Sequence, residues 1–203
     1  MERIVVIDFE TTGLSADGGD RVIEVGAVEI SDGRIARHFS SLMNPGVRVP
    51  NFITELTGIS DSMVRGAPPT AQVMRELHGF IGNSTLVAHN AHFDRSFYLR
   101  EMERQRLSND TPFLCTVRIA RRVYPKSPNH QLKTLAEYVD IPAEGAFHRA
   151  LFDAMLTAQL FITMCSDLRA RHRIAEIQLS LLDKLQKVTI AEADAWLAKR
   201  ALL

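Results

Sequence analysis

Asp8-Phe9-Glu10 holds the first residues of this chain that could do chemistry. They close a short β-branched run, Arg3-Ile4-Val5-Val6-Ile7, that reads as a buried strand. Side chains at i and i+2 of a strand share a face, so both carboxylates project to one place. Two like charges held together away from water are costly unless a cation neutralises them. Taken alone, the pair also reads as two solvated carboxylates at a strand end. Thr11-Thr12-Gly13 follows at once, with two hydroxyl donors and a glycine that permits close backbone approach to a ligand.

Two further stretches add acids. His89-Asn90-Ala91-His92-Phe93-Asp94 follows the short apolar run Thr85-Leu86-Val87-Ala88. An acid just inside a helix that starts at a strand end can face the same crevice, though it also suits a helix N-terminus on charge alone. His148-Arg149-Ala150-Leu151-Phe152-Asp153 is the third stretch. Five helical residues turn the chain by about 500° and leave the two side chains roughly 140° apart. Both can serve one site only if His148 lies on the loop or first turn ahead of the helix, which Gly145 upstream allows.

The elements that must position these groups can be read in order. Val22–Ile30 and Arg34–Met43 should form an antiparallel hairpin about Asp32-Gly33, behind the first strand. Helices are expected over Asn51–Leu56, Thr70–Phe80, Phe93–Arg106, Thr116–Val123, Gln131–Val139 and Ala146–Met164. Short strands are expected at Thr85–Ala88 and Pro112–Cys115. Strands first, then strand–helix alternation, predicts an α/β mixed sheet with helices on both faces. A soft boundary near Asp167 divides a domain over 1–166 from a C-terminal extension over 167–203, read as two helices parted at Val188-Thr189.

Composition sets bounds. Lys and Arg (24) balance Asp and Glu (24), giving no net charge. Autonomous, tight duplex binders are usually basic because affinity comes from neutralising phosphates, so that class is disfavoured. A site that recruits metal ions to reverse its own field is not. No apolar run reaches the length of a membrane span, and the strand-like N-terminus leads to the expectation of no signal peptide. Cys115 and Cys165 lie far apart, which fits reduced thiols and a cytoplasmic location.

Asp8-x-Glu10, Asn90-x-x-x-Asp94 and His148-x-x-x-x-Asp153 resemble, in order and separation, the three motifs of the DEDDh branch of 3′→5′ exonucleases. Ile53-Thr54-Glu55-Leu56-Thr57-Gly58-Ile59 resembles the segment between the first two motifs in the epsilon subunits of bacterial DNA polymerase III. Cys115-Thr116-Val117-Arg118-Ile119-Ala120-Arg121-Arg122 resembles a helix of those proteins and of exonuclease X. Arg149 stands where the sister branch carries tyrosine. The likeness covers about residues 1–165. It implies a ribonuclease H-like five-stranded mixed sheet: a three-strand antiparallel meander plus parallel strands, flanked by helices.

It also implies a catalytic set of Asp8, Glu10, Asp94, His148 and Asp153, with the four carboxylates holding two Mg²⁺ or Mn²⁺ ions and His148 as general base. Asp8 would bridge both ions. Thr11, Thr12, Gly13 and Leu14 would cradle the terminal nucleotide, with His89 and Asn90 near the strand. The implied substrate is a single-stranded 3′ end, DNA favoured, in proofreading, repair or end trimming. An exoribonuclease of the ribonuclease T or oligoribonuclease type shares the acid set. A non-catalytic module that holds a nucleic-acid end is a third reading.

Arg118, Arg121, Arg122 and Lys126, with His130 and Lys133 beyond, read either as a track for the nucleic-acid backbone or as a solvated helix face. Tyr124 could stack on bases, whereas Phe147 suits the core. In the tail, Ile174, Ile177, Leu181, Leu185 and Val188 form an apolar stripe that packs on its own domain or on a second copy. Gln178-Leu179-Ser180-Leu181-Leu182 resembles the peptide by which replication proteins dock on a sliding clamp. A DNA polymerase, a clamp and a homodimer are therefore the partners to test, and no membrane is expected.

Overall fold

The computed structural model describes residues 2–108, 110–143 and 148–200. The expectations placed on Gly145 and Phe147 lie outside them. Five strands form one mixed sheet: β1 (Ile4–Thr11), β2 (Val22–Ser31), β3 (Arg34–Leu42), β4 (Thr85–Ala88) and β5 (Phe113–Cys115), in the order β3-β2-β1-β4-β5. The first three make the antiparallel meander; β4 and β5 run parallel to β1. The turn at Asp32-Gly33 holds both residues at positive φ, which glycine and aspartate tolerate best.

Period-2 alternation along β1 divides the core. Val5, Ile7 and Phe9 face α3 (Thr70–Ile81) and α4 (His92–Arg104). Ile4 and Val6 face a second layer built on α5 (Thr116–Val123), α6 (Leu132–Tyr138) and α7 (Ala150–His172). Asp8 and Glu10 continue that second stripe by strand alternation, just where the apolar layer runs out. Two short helices, α1 (Asn51–Thr57) and α2 (Asp61–Arg65), close a third small cluster over Ile23. At five residues α2 is too short to show an apolar period. It forms because Ser60 caps it, its hydroxyl accepting from the Met63 amide.

The long helix differs from expectation at its C-terminal end. It begins at Ala150, the expected start at Ala146 lying outside the described residues, and runs on through Asp167 to His172, stopping where Arg173 turns to φ 53°. It is long and apolar enough to cross a membrane by length and composition alone. Ala154, Ala158, Phe161 and Leu168 bury it against the sheet and the other helices, so it serves as the core helix of this layer.

Beyond it, α8 (Leu179–Leu185) and α9 (Ala193–Ala198) return to the same core through Leu179, Leu182, Leu185 and Leu197. The buried Gln186 side chain meets the open edge of β5, accepting from the Cys115 amide at 3.0 Å. Arg122 donates to the Val188 carbonyl. The tail therefore packs as part of the α7 layer.

Candidate active site

Asp8 and Glu10 leave β1 toward the N-terminal end of α7, and Asp153 meets them from the first turn of that helix. Ligand oxygens of these three carboxylates lie within 4.8 Å of one another. Asp153 Oδ1 is buried without a hydrogen-bond partner, and Oδ2 accepts from the His148 amide at 3.0 Å. Asp94 arrives from the opposite layer, in the first turn of α4. Its carboxylate is 2% exposed, and Oδ1 accepts from the amide of Phe9, the residue between the two β1 acids.

Burial and mutual repulsion load this cluster. Burial first, then the charges of Asp94, Asp153 and Glu10, hold the Asp8 carboxyl well above the usual range. Glu10 is pushed up to about 8 by burial and by Asp153 and Glu24. Burial raises Asp94 to about 7, against the hydrogen bond from Phe9. Burial also raises Asp153. A set of oxygen-only donors, crowded together and with one oxygen unpartnered, fits hard divalent cations such as Mg²⁺ or Mn²⁺.

The chain turns into α4 and α7 through strained residues. Asn90 has φ 65° and His148 φ 63°, left-handed values that cost a non-glycine residue about 1 kcal/mol or more. His148 thus sits ahead of the helix, as the angular argument requires, and is exposed beside Asp153. Both residues line a cleft of about 880 Å³ with Asp8 and Asp153.

Glu24 is a component that sequence reading missed. It stands directly opposite Glu10 on β2 and is 3% exposed. Its carboxylate accepts from Arg149 Nη2 at 2.7 Å and from the Ala150 amide at 2.9 Å. Gly26, opposite Asp8, lets α7 lie directly on the strand: a Cβ there would come 2.2 Å from the Ala150 carbonyl oxygen. The sequence signal was a glycine within a strand rich in valine and isoleucine, which marks close backbone approach.

The residues expected to cradle a nucleotide are placed differently from one another. The Thr11 hydroxyl donates to the Gly13 carbonyl, and the Thr12 hydroxyl accepts from the Arg21 amide. Both are buried, so what they offer a ligand is backbone rather than hydroxyl. Gly13 is needed by Asp20, whose carboxylate would lie 2.4 Å from an added Cβ. Leu14 projects from this loop, 85% exposed. His89 lines the cleft, but both its ring nitrogens are engaged. Nε2 donates to the His130 carbonyl at 3.0 Å, and Nδ1 lies 2.8 Å from the Thr116 hydroxyl. Burial pushes its pKa down to about 4, which keeps the ring neutral.

The basic segment divides between two faces. Arg121, His130 and Lys133 line the cleft. Arg122 is tied to Val188, and Lys126 faces a separate hollow beside Tyr138 and His172. Tyr124 is 1% exposed, and its hydroxyl donates to Asp167, so it is a core residue with no face for a base.

Comparison with known proteins agrees with this geometry. The family model described as Exonuclease (RNase T) matches residues 5–161. A DNA polymerase III of the PolC type from Halalkalibacterium halodurans is 40% identical over 179 residues, 88% of this chain but 12% of that protein. The chain therefore spans about an eighth of that relative. The DNA polymerase III epsilon subunit of Aquifex aeolicus is 36% identical over 175 residues, 85% of each chain. Among solved structures, exonuclease X in complex with 5′-overhanging duplex DNA superposes with a TM-score of 0.69 at 25% identity, covering 89% of this chain and 98% of that one. The nuclease domain of 3′hExo, a DEDDh family member bound to rAMP, shares the fold with a TM-score of 0.69 at 21% identity, covering 81% of this chain and 92% of that one.

Proposed function

The chain belongs to the Exonuclease (RNase T) family, and on that footing we propose that it is a metal-dependent 3′→5′ exodeoxyribonuclease that releases nucleoside 5′-monophosphates. The observation that carries this reading is the convergence of Asp8, Glu10 and Asp153, with Asp94 tied behind them and His148 on the rim. Asp8, Glu10, Asp94 and Asp153 would hold two Mg²⁺ or Mn²⁺ ions. Bound there, the cations supply the positive charge that phosphodiester hydrolysis demands around the scissile phosphate.

This chain's own residues do the rest. His148, exposed in the cleft beside Asp153, takes the proton of the attacking water as general base. The Thr11–Gly13 backbone seats the terminal nucleotide, and Leu14 wedges against its base. Arg121 and Lys133, on the far wall of the cleft, balance the phosphates of the strand as it leaves the site. The neutral His89 ring fixes the His130 loop against β4, which sets the position of that wall.

DNA is favoured over RNA by the likeness to DNA polymerase III proteins at 36% and 40% identity. Proofreading beside a polymerase is the role that likeness supports, in a cytoplasmic setting consistent with two buried free thiols. A clamp contact through Gln178–Leu182 would require α8 to unfold, since Leu179 and Leu182 are already buried. Digestion of 3′-end-labelled and 5′-end-labelled single-stranded DNA and RNA, with and without Mg²⁺, tests the reading. Stepwise shortening from the 3′ end of DNA is expected. Inactivity on both nucleic acids with Mg²⁺ or Mn²⁺ present would reject it.

A further inference from the structure

Glu24 presents a physical problem. It is a fifth carboxylate, 3% exposed, directly opposite Glu10 and adding to the repulsion at Asp8, Glu10 and Asp153. An apolar side chain could seat a helix on β2 without that cost. What an apolar side chain could not do is hold a direction. The Glu24 carboxylate receives the Arg149 guanidinium through Nε at 3.2 Å and Nη2 at 2.7 Å, and the Ala150 amide at 2.9 Å. Those are the N-cap and first residue of α7. Gly26, two residues along the same strand, removes the side chain that would hold the helix off.

Residues 149–151 are therefore pinned from beneath at two points. His148 lies one residue before the pinned segment and Asp153 two residues after it, joined by the His148 amide to Asp153 Oδ2 bond. A rotation of the helix start by one residue, about 100°, would carry Asp153 away from Asp8 and Glu10. We propose that Glu24 and Arg149 are a positioning pair, fixing Asp153 and His148 in register with the β1 acids so that the divalent cations find a complete oxygen cage. This rests on the nuclease reading above and adds to it residues that touch neither cation nor substrate.

The two members of the pair carry opposite charges, which separates positioning from simple field effects. Lost geometry weakens cation binding whichever partner is removed, whereas the field alone predicts that losing Arg149 tightens it. The experiment measures Mn²⁺ affinity by electron paramagnetic resonance, together with kcat and KM on a 3′-labelled oligonucleotide, for wild type, Glu24→Gln, Arg149→Leu and Arg149→Lys. Loss of such supporting contacts typically costs 10–100-fold in metal affinity or activity, and about that range is expected for Glu24→Gln and Arg149→Leu. The deficit should fall on kcat with KM little altered, and Arg149→Lys should recover part of it by keeping the charge. Should Glu24→Gln fail to fold, Arg149→Leu still decides, because it leaves the Glu24 to Ala150 bond in place. Unaltered or tightened Mn²⁺ affinity in Arg149→Leu overturns the proposal, even if its melting temperature falls. Wild-type protein that neither binds Mn²⁺ nor cuts DNA would instead reject the nuclease reading itself.

Discussion

The backbone amide of His148 donates to Oδ2 of Asp153, 3.0 Å away, while Asp153 Oδ1 stays buried and unpartnered. One carboxylate thus braces the left-handed turn that presents the imidazole and keeps its other oxygen for the acid cluster. The tie is made by main chain, so it survives changes to the His148 ring.

His148→Ala should lower turnover by two to four powers of ten, the usual contribution of a general base, while Mn²⁺ affinity stays close to wild type. Single-turnover kinetics with a parallel Mn²⁺ titration checks both halves. A turnover number that does not move would remove His148 from the mechanism.

Asp8→Asn should abolish activity and yet stabilise the metal-free protein, because it removes the most crowded charge of a buried acid set. In EDTA its melting temperature should rise by roughly 2–4 °C for each kcal/mol of repulsion relieved. A lower melting temperature would show that the carboxylates are not in conflict.

The same crowding sets a pH dependence. Glu10 titrates near 4.5 when unfolded and at about 8 in the fold, and Asp94 moves from 3.8 to about 7. Folded pKa values raised above unfolded ones mean the stability is present below pH 4 and is lost as pH rises toward 8. Metal-free protein should therefore melt progressively lower between pH 5 and 8, and saturating Mg²⁺ should reverse the trend. Calorimetry across that range decides it; a flat metal-free profile contradicts the shifts.

Gly26→Ala places a methyl group against the Ala150 carbonyl, where neither backbone can yield without moving α7 off β2. Such overpacking costs about 1–3 kcal/mol, and activity should fall with it. Gly79→Ala, exposed in the last turn of α3 with nothing within 4 Å of an added Cβ, is the control. It should stabilise by up to about 1 kcal/mol through helix propensity. Urea denaturation of both variants gives the comparison.

Leu14→Ala should leave stability unchanged, because the side chain is 85% exposed. If Leu14 wedges against the terminal base, KM for an oligonucleotide should rise with kcat little altered. Identical kinetics in wild type and variant would leave Leu14 without that role.

Local patterns carried most of the architecture. Alternation along β1 told which face Asp8 and Glu10 share, the Asp32-Gly33 turn told the hairpin, and the angular distance from His148 to Asp153 told that the histidine must precede its helix. Each depends on residues a few positions apart, whose geometry the backbone sets. The start of α7 at Ala150 was not legible because the carboxylate that receives its first amide, Glu24, lies 126 residues away. The hydroxyls of Thr11 and Thr12 were misread for a related reason: as letters they are donors, and only the closed loop shows them engaged with Gly13 and Arg21.

By itself, the order of residues determined the strands and helices of the sheet and the face that Asp8 and Glu10 share, while the wider acid set was legible only through its resemblance to the exonuclease motifs. Periodicity and side-chain chemistry are local properties and can be read without coordinates. Only the tertiary structure decided that α7 is clamped on Glu24 and laid against Gly26, and that the basic segment splits between two faces. Those are contacts between distant segments, and which segments meet depends on how the layers pack rather than on any stretch of sequence.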